Sequence, residues 1–263
     1  MTTPPPREEW HLDTARVGRR VLVFDSVDST NTAAAAFAEP EHDGLAVLAD
    51  FQTAGRGRYG RVWQSRPGSS LLLSVVLFPP AEFRRPSVLT AWAAVAVGEA
   101  VFALTGVQAK VKWPNDLLIR GKKVCGILIE QGRAVVAGIG LNLNQTADEF
   151  AAAGLPDATS LGIVAGEPVG HRAAAEELLR RLDAEYARLL AGERVAVEAD
   201  WKWRTGLLGR PVVVELTDGG TVRGRLREMG FDGLELETPA GVRVIVPEMV
   251  AHVWVESPGE PGA

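Results

Sequence analysis

Three glycine turns divide the last part of the chain into short segments and constrain its fold most strongly. They are Asp-Gly-Gly at 218–220, Phe-Asp-Gly at 231–233 and Pro-Ala-Gly at 239–241. Turns this closely spaced leave room only for short strands. Five short strands in about 50 residues predict a small β-barrel domain over residues 208–256. The predicted strands are Val212–Leu216, Thr221–Met229, Gly233–Thr238, Val242–Pro247 and Val250–Glu256.

The chain before this barrel mixes strand-like and helical patterns, which predicts a larger α+β domain over residues 21–207. Residues 1–20 are predicted to form a loose lead-in, which leaves no room for a separate helix-turn-helix domain. Residues 257–263 are predicted to form a disordered tail. Ser87 is predicted to cap a helix that runs to about Thr105, and Gly121-Lys122 to form a hairpin turn. Further strands are predicted at Val21–Asp25, Leu45–Phe51, Leu71–Phe78, Ala109–Trp113, Asp116–Arg120, Val124–Glu130 and Ala134–Leu143, and further helices at 29–38, 146–153 and 172–190.

Composition narrows the class of protein. With 46% hydrophobic and 23% charged residues, the chain is typical of a globular protein. The single cysteine, Cys125, excludes an internal disulfide, and four histidines are too dispersed for a zinc cluster. No signal peptide or membrane-length apolar run is evident, so we expect a cytoplasmic protein without a membrane partner. The net charge of −5 argues against a nucleic-acid partner.

One loop is locally basic, although the whole chain carries a net negative charge. Residues 52–63, Gln-Thr-Ala-Gly-Arg-Gly-Arg-Tyr-Gly-Arg-Val-Trp, hold three arginines and no acid. Guanidinium groups bind phosphate or carboxylate well, and the interleaved glycines allow close approach to a ligand through positive φ angles. The segment formally matches G-x-G-x-x-G, but a strand follows it and no acidic residue occurs until Glu82, which excludes a dinucleotide fingerprint. A solvated basic loop is the alternative interpretation.

A second polar cluster is Lys110-Val-Lys-Trp-Pro-Asn-Asp116. Its Asn115-Asp116 pair is either an Asx turn or a functional pair, with Asp116 as a Mg²⁺-binding or nucleophile-directing carboxylate and Lys112 as a polar partner. One of Lys122 and Lys123 could face a ligand, and spacing alone does not distinguish them. Lys110, Lys112, Lys122 and Lys123 are all candidates for the same pocket.

Taken in order, these segments resemble the biotin protein ligase family, also called biotin–[acetyl-CoA-carboxylase] ligases. The resemblance covers about residues 21–256 and rests on five segments: Asp28–Asn31, Gln52–Trp63, Lys112–Asp116, Gly121–Glu130 and Gly138–Asn144. It implies a mixed-sheet catalytic domain of the biotin/lipoate ligase type with an SH3-like C-terminal β-barrel. It also implies a ligase without the repressor role that some members have.

The resemblance further implies roles for individual residues. Ser29, Thr30, Asn31 and Gln52 match the segment that binds the ureido ring of biotin. Gly55, Arg56, Gly57 and Arg58 match the loop that closes over biotin and the adenylate phosphate, and Trp63 matches the aromatic residue at the adenine end. Lys123 matches the lysine that contacts biotin's carboxyl group and the phosphate, and Lys112 matches the other lysine of the site. Asn115 and Asp116 match the turn near the adenylate, and Asn142 matches a residue near the adenine.

The implied reaction uses ATP, Mg²⁺ and biotin. Biotin's carboxylate attacks the α-phosphate of ATP, and a lysine of a biotin carboxyl carrier domain then takes the biotinyl group, with Asp116 a candidate to orient that lysine. Catalysis would rest on Lys123, Arg58, Lys112 and Asp116, and the enzyme would be a monomer or a weak homodimer. Two other interpretations remain: a lipoate–protein ligase, which shares the fold, and a nucleic-acid-binding regulator that uses Trp63 for stacking.

Overall fold

The larger of two sheets has eight strands and is mixed. The computed structural model describes residues 4–256, so the tail predicted at 257–263 lies outside the described residues. Strands β2 and β3 pair in parallel, and every other pair in this sheet is antiparallel. In chain order the strands are β1 (Glu8–His11), β2 (Arg20–Val27), β3 (Ala46–Gln52), β4 (Ser70–Leu77), β5 (Lys110–Lys112), β6 (Asp116–Ile119), β7 (Lys122–Gln131) and β8 (Val135–Asn142), arranged β1-β2-β3-β4-β8-β7-β6-β5.

Within residues 4–256, six α-helices accompany this sheet and confirm the predicted α+β class. They are α1 (Thr30–Ala35), α2 (Pro86–Thr105), α3 (Ala147–Ala152), α4 (Leu161–Ala165), α5 (His171–Leu190) and α6 (Arg194–Thr205). Strand β2 shows why both faces of the sheet are covered: Val21 and Val23 belong to one buried cluster, whereas Leu22 and Phe24 belong to another. Alternate strand residues point to opposite faces, so an all-apolar strand needs packing on both sides.

Helix α2 is the central helix of the larger core. It is long and apolar enough to cross a membrane, contrary to the expectation from apolar run lengths, but most of its residues are buried within the protein. It packs against α5 and α6 and shows almost no polar face. The helix begins at Pro86 with Arg85 as its N-cap, so the predicted cap at Ser87 is wrong by two residues. Proline at the first helical position explains this start, because that position needs no N–H partner.

Residues 1–20, predicted to be a loose lead-in, contain strand β1. It pairs antiparallel with β2, and Arg7 Nη1 binds Asp25 and Asp50, each at 2.6 Å. The segment that follows is held by Asp183 in α5, whose carboxylate accepts from the backbone N–H groups of residues 15, 16 and 17 at 2.7–2.8 Å. Ion pairs, backbone contacts and the burial of Trp10 and Val17 in the larger core together order this segment.

Replacing Asp183 with Ala is expected to lower the free energy of unfolding by about 1–3 kcal/mol, because three N–H groups lose their acceptor. Chemical denaturation of Asp183→Ala measures this. Glu167→Ala, which removes an exposed carboxylate, is the control. Equal stability of the two variants would contradict this role.

The C-terminal sheet has five antiparallel strands. They are β9 (Pro211–Leu216), β10 (Thr221–Met229), β11 (Leu234–Thr238), β12 (Gly241–Ile245) and β13 (Val250–Val255), arranged β12-β11-β10-β9-β13. The five strands match those predicted from the turns to within two residues, while the SH3-like barrel and the domain limits stay predictions. The sheet docks through Phe231, which packs on Trp201 of α6 at 5.9 Å, and Trp201 packs on Trp113 at 5.4 Å.

A charged clamp surrounds this aromatic contact. Asp232 accepts from Arg85 at 2.6 Å and from Arg194 at 2.5 Å, which joins the β10–β11 turn to the starts of α2 and α6. The hydrogen bond from Arg85 is the main reason that the pKa of Asp232 lies below its usual value. The C-terminal sheet is therefore fixed next to Trp113 and the polar turn that follows it.

Candidate active site

A cavity of about 560 Å³ lies between α1, the glycine loop and strands β4, β7 and β8. The structure brings nearly all predicted site residues to this one cavity, although they span more than 110 positions of the chain. Those lining it are Ser29, Thr30, Asn31, Gln52, Arg56, Gly57, Arg58, Trp63, Lys112, Asn115, Asp116, Lys123 and Asn142.

The start of α1 forms a polar, buried floor. Gln52 Oε1 accepts from the backbone N–H of Thr30 at 2.7 Å and from its hydroxyl at 3.0 Å. Ser74 Oγ lies 2.6 Å from Asn31 Oδ1. Ser29 occupies the N-cap position, but its side chain makes no capping hydrogen bond. The floor is thus preorganised, with the Ser29 hydroxyl available to a ligand.

Three strand glycines make room for this floor and for an aromatic ring. A Cβ at Gly138 would lie 2.2 Å from Asn31 Oδ1, and a Cβ at Gly140 would lie 2.5 Å from Trp63 Cε2. Gly126 is similarly close to the Trp63 ring, at 3.0 Å. None of these three glycines has a role that could be predicted from the sequence, since a glycine within a strand does not reveal which neighbour approaches it.

Lys123 faces the cavity from β7, and Lys112 also lines it. The Nζ of Lys123 lies 2.7 Å from Asp116 Oδ1 and 5.7 Å from the centre of the Trp63 ring. Lys122, its neighbour, is exposed and does not line the cavity, and neither does Lys110. The prediction that four lysines share the pocket is therefore wrong for these two, because successive strand residues point to opposite faces and Lys110 lies further along β5.

The glycine loop folds as a small hairpin. Trp63 N donates to Gly55 O at 3.0 Å, and Gly57 N donates to Arg61 O at 2.7 Å. Positive φ occurs only at its tip, at Gly60 (72°) and at the non-glycine Tyr59 (56°). The predicted positive φ at Gly55 and Gly57 is wrong.

Gly55 lies outside the 560 Å³ cavity and is needed for packing within the hairpin. A Cβ there would lie 2.6 Å from Trp63 O and 2.9 Å from Gln52 Nε2. The absence of a side chain at Gly55 lets the hairpin close on Gln52, and a contact of Gly55 with ligand stays a prediction.

Two arginines of the hairpin differ in their partners. Arg58, half-buried at the cavity, donates to Tyr59 Oη at 2.9 Å and stacks on the Tyr59 ring. Arg56 forms an ion pair with Glu130 and donates to Thr32 Oγ1 at 2.9 Å. In this arrangement Arg58 is placed to meet an anion in the cavity, while Arg56 is already engaged by a carboxylate.

The two predicted asparagines are anchored by the backbone. Asn115 Nδ2 donates to Ile127 O at 2.7 Å, so Asn115 joins the polar turn to β7 rather than closing an Asx turn on itself. Asn142 Nδ2 donates to Thr159 O at 3.0 Å, and its Oδ1 accepts from Gln145. Both amides thus hold the walls of the cavity in place.

The segment after α3 forms a further wall that the sequence did not indicate. It is joined to β7 at Lys123, since Lys123 N donates to Asp157 O at 2.7 Å and Thr159 N donates to Lys123 O at 2.8 Å. His252 of β13 also lines the cavity, which brings the C-terminal sheet to its rim. Cys125, beside Lys123, is fully buried, and burial raises the pKa of its thiol, so it stays a protonated packing residue.

Comparison with known proteins identifies the family of the chain. The Biotin/lipoate A/B protein ligase family matches residues 23–144. The biotin–[acetyl-CoA-carboxylase] ligase of Mycobacterium tuberculosis is 33% identical over 260 residues, covering 92% of this chain and 93% of that protein. The chain belongs to the biotin protein ligase family. The bifunctional ligase/repressor BirA of Bacillus spizizenii is 34% identical over 242 residues, which cover 89% of this chain and 74% of BirA.

Solved biotin protein ligases share the fold. The Aquifex aeolicus enzyme in complex with biotin and ATP superposes with a TM-score of 0.73 at 26% identity, covering 90% of this chain and 99% of that one. The match extends over both sheets of the chain. It agrees with the resemblance that the ordered motifs indicate.

Proposed function

We propose that this chain activates biotin with ATP, forming biotinyl-5′-AMP and pyrophosphate, and transfers the biotinyl group to a lysine of a carboxyl carrier domain. One observation carries the proposal: Lys123 and the floor of Ser29, Thr30 and Asn31 face the same cavity beneath the arginine hairpin. A cavity of about 560 Å³ is of the size that small-molecule substrates occupy.

The first step brings an anion to a polyanion. Two unit charges at about 4 Å repel by roughly 4 kcal/mol at an effective dielectric constant of about 20. The ammonium of Lys123 and the guanidinium of Arg58 offset this repulsion at the carboxylate and the α-phosphate, and Lys112 adds a third cation at the rim. The carboxylate oxygen forms a bond to the α-phosphorus as the bond to pyrophosphate breaks, so the protein supplies position and charge rather than a nucleophile.

The second step forms an amide. The acceptor's neutral amine attacks the carbonyl carbon of the mixed anhydride. The bond from this carbon to the bridging oxygen breaks, and AMP leaves with that oxygen. Asp116 lies at the cavity beside Lys123 and is the carboxylate we assign to orient the amine or take its proton. The ion pair with Lys123 keeps this carboxylate at the place where the anhydride forms.

Mg²⁺ fits this site as a companion of ATP. The described residues hold no group of three or more His, Cys, Asp or Glu side chains suited to a metal. Magnesium in nucleotide sites needs only one or two carboxylates besides substrate phosphates, and Asp116 is a carboxylate that lines the cavity. Bound there, Mg²⁺ would neutralise phosphate charge.

Exchange of labelled pyrophosphate into ATP tests the proposal, with biotin and lipoate compared in parallel. We expect biotin-dependent exchange and little exchange with lipoate. Exchange with lipoate alone would favour a lipoate ligase. We further propose a cytoplasmic enzyme, monomeric or weakly dimeric, that acts on the carrier domain of an acyl-CoA carboxylase and binds neither nucleic acid nor membrane.

Replacing Arg58 with Gly is expected to speed dissociation of biotinyl-5′-AMP by about ten-fold or more, since a charge-assisted contact to the phosphate is lost. The off-rate of purified adenylate measures this. Arg66→Gly is the control, because Arg66 is an exposed arginine past the hairpin that does not line the cavity. An unchanged off-rate in Arg58→Gly would remove Arg58 from adenylate retention.

A further inference from the structure

Glu130 lies next to the ligand site, and its carboxylate has no role in the proposed reaction. It lies near the end of β7, and its Oε2 accepts from Asn31 Nδ2 at 2.8 Å. Arg56 Nη2 also donates to this carboxylate, at 3.1 Å to Oε2 and 3.2 Å to Oε1. The Glu130 side chain therefore connects the floor at the start of α1, here called the biotin floor, with the hairpin of residues 55–63, here called the glycine hairpin. Its two partners, Asn31 and Arg56, are 25 residues apart in sequence.

On the floor, Glu130 fixes the direction of an amide. Asn31 is 4% exposed, its Oδ1 lies 2.6 Å from Ser74 Oγ, and its Nδ2 donates to Glu130. Because both ends of the amide are engaged, Asn31 has one favourable orientation.

On the hairpin, Glu130 holds the base and leaves the tip free. Arg56 pairs across the hairpin with Val62, and the tip between them carries Arg58 and the positive-φ residues. The guanidinium of Arg56 is also held by Thr32 Oγ1. A pin at Arg56 confines movement of the hairpin to its tip, and it places that tip over the floor.

The ion pair between Arg56 and Glu130 is expected to contribute little to the free energy of unfolding. The side chains of Arg56 and Glu130 are 43% and 39% exposed, and ion pairs this accessible contribute little to folding. Because the ion pair lies between two parts of the ligand site, its position indicates a role in positioning the site.

We propose that Glu130 is a positioning residue that anchors the base of the glycine hairpin to the biotin floor and so slows escape of the adenylate. This rests on the proposed function. Glu130 acts through Arg56 and Asn31, and itself takes no part in the chemistry.

The test is the off-rate of biotinyl-5′-AMP in Glu130→Gln. Glutamine keeps an oxygen for Asn31 but loses the charge that holds Arg56, so we expect the off-rate to rise about five-fold, the biotin KM to change less than about two-fold and the melting temperature to stay unchanged. Glu39→Gln is the matched control, since Glu39 is also 39% exposed and ion-paired, with Arg133. We expect wild-type behaviour from it.

A double-mutant cycle separates this role from a general one. If Glu130 acts on retention through Arg56, Glu130→Gln adds nothing to the off-rate of Arg56→Ala. Additive effects, an unchanged off-rate, or a slower one from an Arg56 freed to bind phosphate would each overturn the proposal. A wild-type protein that forms no adenylate would refute the proposed function itself, whereas normal wild-type adenylate with an unchanged Glu130→Gln off-rate refutes this proposal alone.

Discussion

Lys123→Ala is expected to reduce biotin-dependent exchange of pyrophosphate into ATP at least 100-fold, the loss typical when a preorganised charge is removed from a developing anion. Lys123 faces the cavity with its Nζ held 2.7 Å from Asp116 Oδ1 and near the Trp63 ring. The ammonium is thus fixed before substrates arrive. Initial exchange rates at saturating biotin and ATP measure the effect.

Lys122→Ala is the matched control for this variant. The two lysines are adjacent in β7, but Lys122 is exposed and does not line the cavity. We expect near wild-type exchange from Lys122→Ala and a folded protein in both cases, checked by circular dichroism. Near-normal exchange in Lys123→Ala would remove this lysine from the site.

Gly138→Ala is expected to raise the biotin KM by about 5–150-fold, the factor that corresponds to the ~1–3 kcal/mol cost of overpacking. The added Cβ would lie 2.2 Å from Asn31 Oδ1, and Asn31 cannot easily move because Ser74 and Glu130 hold its amide. The floor must distort before biotin can bind. Steady-state exchange kinetics with varied biotin measure the change.

Gly132→Ala provides the comparison for Gly138→Ala. A Cβ at Gly132 meets nothing closer than Ala134 O at 3.8 Å, which is ordinary contact. We expect an unchanged biotin KM there. If Gly138→Ala also kept a wild-type KM, Asn31 would not belong to the biotin floor in its present orientation.

Much of the site could be predicted from the sequence because its motifs are local. The arginine–glycine hairpin, the Lys112–Asp116 turn and the start of α1 each carry their chemistry within a few residues. The strands that separate them have clear apolar patterns, so the sheet that gathers them was also predictable. The α+β class and the short strands of the C-terminal sheet follow from the same patterns.

Register explains why Lys122 does not reach the cavity. The hairpin between β6 and β7 turns at Arg120 and Gly121, which have φ angles of 51° and 82°, rather than at the predicted Gly121-Lys122. Two central residues with positive φ are the mark of a type I′ turn. The side of the sheet on which each lysine lies depends on this register, since a one-residue slip reverses it.

Contacts between distant residues explain what the sequence did not reveal. Arg56 and Glu130 are 74 positions apart, and only the fold shows that the arginine expected to bind phosphate meets a carboxylate. The same holds for Arg7, just before β1, which meets Asp25 and Asp50. No local pattern encodes such pairs.

Native mass spectrometry of the protein incubated with biotin, ATP and Mg²⁺ tests the central claim most directly, because it detects the intermediate in the cavity. We predict a complex whose added mass is that of one biotinyl-5′-AMP, absent when lipoate replaces biotin and strongly reduced in Lys123→Ala. A complex with a lipoyl adenylate, or no adenylate with biotin while the protein remains folded, would contradict the account.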